Sequence, residues 1–529
     1  MNRTSIAAAI AVSAWVSFGP PALSEDDTDQ RFGTVHFATS CNETAQRRFD
    51  RAMRYQHSFW YQSSKELFEE VLKSDPGCAI AHWGIALSLL YNPHAPPPPA
   101  NLPLGLAALQ KGQAVGARSQ RERDYIDALT VFYADYDKIP HAQRVQAYLK
   151  AMEALAQKYL DDDEAQIFYA ITLNVAASPN DKTYANQLKG AAILEPIFRR
   201  QPRHPGVAHY LIHLYDTPAL AQRGLDAARR YATIAPAAPH ALHMPSHIFT
   251  RVGAWSESIS SNIASARAAK DGKDFGEQMH AMDYQVYAYL QTARDEKARA
   301  VVTDMIAIPD ILPERFQGPY ALAVTSARYA LERGDWKGAA ELEVRPSRFA
   351  YADAMTYFAR ALGAARNGNP AAAEADIEKL AELREKLRAA KDAYWTEQVD
   401  IQWQIARAWV LYAEGKYDEA IKAMSAGADA EEKTEKHPVT PGAPIPAREL
   451  LGQMLLERGM AREALPAFEA TLKKEPNRFN ATAGAAKAAQ RLGDKAKAKE
   501  YFQKLTALGS NADTVRPDLA AARQFLAAN

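Results

Sequence analysis

The chain has 529 residues, 47% hydrophobic and 24% charged, which is enough apolar material for a large buried core. Its 63 basic and 63 acidic residues cancel. That balance argues against a nucleic-acid binder and gives no electrostatic pull toward an anionic membrane.

The first 24 residues have the form of a secretory signal. Arg3 supplies the positive start, Ile6 to Phe18 is apolar, and Pro20-Pro21-Ala22-Leu23-Ser24 sets cleavage after Ser24. The apolar run is too short to span a bilayer, and no later run reaches the roughly 18 residues that a span needs. The expectation is an exported protein, periplasmic or secreted, with no membrane span. Residues 25–41 are polar and read as a flexible lead-in. The two cysteines, Cys41 and Cys78, suit either a disulfide or two separate buried thiols.

From Asn42 onward apolar residues recur at i, i+3 and i+4 in a background of Ala, Leu, Glu, Lys and Gln. No alternating run calls for a sheet, so the fold class is all-α. His57-Ser58-Phe59-Trp60-Tyr61 reads as a turn between helices with its aromatics partly in the core, His57 being free to face a groove. Two proline-rich stretches interrupt the helices, Asn92 to Pro99 and His437 to Pro446. Each is either a linker or a segment lying across a groove. The division that follows is 42–436, a Pro-rich linker at 437–446, and a C-terminal module at 447–529.

The histidines are clustered. Seven of 13 fall between His204 and His280. His209 and His213 are spaced i,i+4, and His240, His243 and His247 are spaced i,i+3,i+7, which places each set on one helix face. His209-Tyr-Leu-Ile-His213 carries Tyr210 where a zincin has its general-base Glu, so that protease class is set aside. No Gly-x-Ser-x-Gly and no phosphate loop occurs. Asp161-Asp162-Asp163-Glu164 reads as a helix start rather than a calcium loop.

The helices also repeat. Leu451-Gly452-x-x-Leu455, Gly459, Ala464, Phe468 and Pro476 are followed 34 residues later by Ala485-Ala486-x-x-Ala489, Gly493, Ala498 and Phe502. Gly334-Asp335-Trp336 with Ala339, and Gly415-Lys416-Tyr417 with Ala420, fit the same slots. The chain resembles the tetratricopeptide repeat (TPR) superfamily, and in particular large exported bacterial TPR proteins with a His-rich central segment. The resemblance covers most of residues 42 to 512. It implies a TPR-type α-solenoid, a right-handed superhelix of helix pairs, whose concave groove binds a protein or peptide through positions 2, 5, 9 and 12 of each first helix. On that frame His209, His213 and Asp216 share one helix, His240, His243 and His247 the next, and His280, Asp283 and Tyr287 a third, all turned to one patch.

Imidazoles and carboxylates together suit a transition metal, with zinc, copper and iron as the candidates. His209, His213, His240, His243, His247, His280, Asp216 and Asp283 are the candidate ligands, the two aspartates serving either as ligands or as acceptors behind the histidines. Met244, Met279 and Met282 would add sulfur donors to a copper site. Pro245 threatens the register, since a proline there delays or kinks the helix and leaves His240 and His243 in its entry. The expected function is an exported binding scaffold with a metal-binding His/Asp patch. The alternatives are a metal-dependent enzyme, with Asp216 or Asp283 accepting a proton, and a scaffold whose groove histidines meet only peptide and water.

Overall fold

The structure is a computed structural model that describes residues 31–308 and 317–528. The expected signal segment and its Ser24 lie outside the described residues, which are 74% helical and contain no strand. No helix among them is long and apolar enough to cross a membrane. Successive helices pack against one another, and several also touch the helix after next, the arrangement of a solenoid of helix pairs.

Small residues set the approach of the helices. Phe468, fully buried in the helix Ala461–Lys474, lies between Gly452 of Ala447–Glu457 and Gly484 of Phe479–Arg491. A Cβ on either glycine would overlap the ring. Phe68 meets Gly84 in the same way near the other end. Gly459 and Gly493 turn the chain inside their pairs with φ of 77° and 76°, a conformation that costs side-chain-bearing residues about 1 kcal/mol or more.

Residues 31–41 are anchored rather than loose. Phe37 is fully buried against Phe49, Trp83 and Tyr125, and Thr34 donates its N–H to the Arg203 carbonyl at 3.0 Å. An aromatic at this point gains more from burial than a polar tail would lose in entropy. Cys41 and Cys78 are joined in a disulfide.

The segment 434–446 is not a free spacer between modules. It lies across earlier helices as a strap. Lys436 reaches Asp216 at 2.7 Å, the Gly442 carbonyl accepts from Arg328 at 3.1 Å, and Ile445 is buried. The C-terminal repeats then fold back onto the middle of the chain. Trp255 Nε1 donates to the Asn477 carbonyl at 2.8 Å, and Arg516 pairs with the buried carboxylate of Asp295.

Gly484→Leu should lower stability by about 1–3 kcal/mol through overpacking against Phe468, seen as a lower urea midpoint with helicity retained. An unchanged midpoint would mean that the glycine is not what sets this helix spacing.

Candidate metal centre

Four helices build the histidine patch. Pro205–Tyr215 starts with His204 as its N-cap and Pro205 in its first turn, and carries His209 and His213 on one face. Gly206 lies where a Cβ would strike the His57 ring, so this helix approaches Glu43–His57 closely. Pro239–His243 and Pro245–Val252 follow each other with Met244 between them still in helical geometry. Pro245 thus restarts the helix instead of ending it, and His240, His243 and His247 all stay on helical backbone. Phe275–Gln291 adds His280.

The six histidines form two triads, both buried apart from a half-buried His240. His209, His213 and His240 make the first, and His243, His247 and His280 the second; within each, the ligand-capable nitrogens lie within 4.8 Å of one another. The triads adjoin, with ring centres of His213 and His247 5.9 Å apart and of His240 and His243 6.0 Å apart.

Outer partners decide which nitrogen faces inward. His209 Nδ1 lies 2.7 Å from the His57 carbonyl, which can only accept, so Nδ1 carries the proton and Nε2 is bare. His243 Nδ1 faces Asn262 Oδ1 at 2.6 Å, and the Asn262 amide nitrogen is committed to the Ser258 carbonyl. His247 Nδ1 faces Asp216 at 2.8 Å, and His240 Nδ1 faces Glu277 at 2.9 Å. Four Nε2 lone pairs therefore point into the patch. His209 and His213 bring their Nε2 atoms to 3.1 Å, and His243 and His247 to 3.0 Å. His240 Nε2 is buried without a partner. Burial, reinforced by the neighbouring imidazoles, pushes His209, His213 and His243 well below the usual histidine range. Burial takes His280 down to about 3 against the pull of Glu277.

Asp216 belongs to neither triad and stands behind His247, as an acceptor would. Burial alone would raise its carboxyl, but Lys436 and Arg251 hold it below the usual range, and its oxygens are taken by Lys436, by Arg251 at 2.9 Å and by His247. Burial in turn brings Lys436 down to about 8. Asp283 lies outside both triads. Its carboxylate pairs with Arg328, fully buried beside it, so neither expected aspartate is free to accept a proton. Tyr287 also turns away, donating to Glu475 at 2.8 Å. One turn from His280 it is Tyr284 that faces the triads, 4.7 Å from the ring centre of His243. Met279 and Met282 pack with Met305 and Leu322, and Met244 lies in the main core, so the expected sulfur donors are structural.

Sequence reasoning missed several neighbours. His94, from the first proline-rich stretch, has its ring centre 4.5 Å from that of His213, with its Nε2 buried and unpartnered. Phe59 covers the first triad from a left-handed backbone conformation, φ 57°, its ring 4.2 Å from His209 and 5.1 Å from His240. No helical spacing announces either residue. Glu277, three residues before His280 on the same helix, was the one partner that spacing could have found.

A third cluster, His57, Glu164 and His204, behaves differently. Glu164 accepts from His57 Nε2 at 3.0 Å and from His204 Nε2 at 2.8 Å, while His57 Nδ1 meets the Tyr210 hydroxyl and His204 Nδ1 accepts the Val207 N–H. Every ring nitrogen is used, and the cluster is a closed hydrogen-bond network. Asp162 caps the Glu164 helix, as its run of acids suggested.

A cavity of about 540 Å³ borders the patch. His240 and His280 form part of its wall, facing Phe59, Tyr91, Trp395 and the prolines 96–99.

Asp216→Ala would leave Arg251 and Lys436 buried without their shared anion. A loss of about 3–5 kcal/mol is expected, measured by chemical denaturation. Where the strap begins, burial raises the Glu431 carboxyl to about 7. Its protonated form therefore favours folding, a contribution present below the unfolded value and lost as pH rises through about 7. Glu431→Gln should raise the melting temperature by a few degrees at about pH 8 and leave it unchanged near pH 4.

No family model matches the chain, and no curated protein matches it. Among solved structures, the human IFIT1 dimer with m7Gppp-AAAA is 12% identical, with 81% of this chain and 90% of that chain covered and a TM-score of 0.39. Cut9 in the APC/C hetero-tetramer Cut9-Hcn1 is 12% identical, with 92% and 95% covered and a TM-score of 0.29. The Naa15/Naa10 complex bound to HypK-THB gives 12% identity, 92% and 79% coverage and a TM-score of 0.24. With its paired helices, its 34-residue recurrence and its glycine-against-phenylalanine contacts, this chain is a TPR-type α-solenoid.

Proposed function

We propose that this protein is an exported TPR-type scaffold whose histidine patch binds a transition metal, zinc, copper or iron. The observation that carries this is the set of outer hydrogen bonds. Each of four imidazoles, His209, His240, His243 and His247, is held by an acceptor on Nδ1, so that the bare Nε2 atoms of His243 and His247 meet at 3.0 Å with no proton to share. Lone pairs so placed repel; a cation between them removes the repulsion, and the Nδ1 partners are those that metal-bound histidines commonly have. The third cluster, with every nitrogen used, lacks this feature. Export is supported by the disulfide Cys41–Cys78, a bond that persists in oxidising compartments.

A protein or peptide partner would meet the concave surface away from the patch, because the chain's own strap lies over the histidines there. The cavity favours a second reading, a metal-dependent enzyme whose substrate sits against His240 and His280. Its proton acceptor would be metal-bound hydroxide rather than Asp216 or Asp283.

The test is elemental analysis of protein from an exporting host, beside the double variant His213→Ala/His247→Ala. Metal is expected in the native chain and absent from the variant, with a lower melting temperature on its loss. A native chain that carries no metal and takes up none would overturn the proposal.

A further inference from the structure

Resting on that metal reading, we propose that the patch is a dinuclear copper(I) centre, one ion to each histidine triad, with both ions open to the one aromatic-walled cavity.

The number two follows from the ligands. Three nitrogens within 4.8 Å of one another suit one ion, and the chain supplies this set twice, with no residue shared. In the second triad the bare Nε2 atoms of His243 and His247 oppose each other, and in the first the bare Nε2 of His240 is buried without a partner. A single ion would relieve one of these and leave the other. Each triad also sends one member to the cavity, His240 from the first and His280 from the second. A small ligand there would lie against both ions.

Copper(I) follows from charge. All six ligands are neutral imidazoles and no carboxylate enters either triad. Asp216 and Glu277 accept from the histidines, Arg251 and Lys436 pair with Asp216, and the outlying pair Glu435 and Lys182 is itself neutral, with Glu435 3.8 Å from Arg251. These already balance. Two divalent ions would bury four uncompensated charges; two cuprous ions bury two, and charge buried without a counter-ion is strongly unfavourable. Imidazole is among the ligands that copper takes.

The test uses the full mature chain, stripped of metal and loaded anaerobically with excess cuprous copper in competition with zinc, then desalted. Mass spectrometry should find two copper per chain, and X-ray absorption a cuprous edge with three nitrogen neighbours per ion. His209→Ala and His280→Ala should each retain one copper, with circular dichroism reporting whether each variant has folded. The count in the unaltered chain stands whether or not they fold. One copper per chain would overturn the pair while the metal-binding proposal survives. Two zinc ions in place of copper would overturn the metal assignment alone. Neither metal bound would overturn the inference and the proposal beneath it together.

Discussion

The buried carboxylate of Asp216 is the contact on which the centre of the molecule depends. It stands at the end of one histidine helix, accepts from His247 on the next, and draws Arg251 and the strap's Lys436 to the same point. Removing an anion from water is unfavourable unless every oxygen finds a donor. Here the donors come from two segments that are far apart in sequence, the helix Pro245–Val252 and the strap. The register of the helices, the inward aim of His247 and the path of the strap are therefore set together.

The same device recurs elsewhere in the chain. Arg478, fully buried, joins Glu332 and Glu449, Arg328 joins Asp283, and Arg516 joins Asp295. These arginines link helices from different repeats, where the ordinary contact between neighbours is apolar. Ionic contacts of this kind are directional, so they fix which repeats face one another across the concave side, a specificity that apolar packing alone supplies less well.

The repeat plan was legible in the sequence because it is local. Glycine, alanine and phenylalanine recur at 34-residue intervals, and Gly452 meets Phe468 as that pattern implies. The histidine faces were legible for the same reason, since i,i+4 spacing survives folding. The frame erred by one residue in the third helix. Spacing read Asp283 and Tyr287 as partners of His280, whereas the helix turns those two toward Arg328 and Glu475 and gives Tyr284 to the patch. Phe59, His94 and Lys436 were illegible. Each comes from a turn or extended stretch, where no period tells which way a side chain points, and each reaches the patch only through long-range closure.

That closure changes the kind of object the protein is. A solenoid whose repeats touch only their neighbours behaves as a one-dimensional chain, which can fray from an end or open in the middle while the rest stays folded. Here Trp255 and Asn477 are bonded across 222 positions, and Asp295 and Arg516 across 221. A repeat that lets go also releases a partner from the far part of the array. The array therefore acts less like a spring than like a clasped bracelet, in which the last link helps to hold the middle one in place.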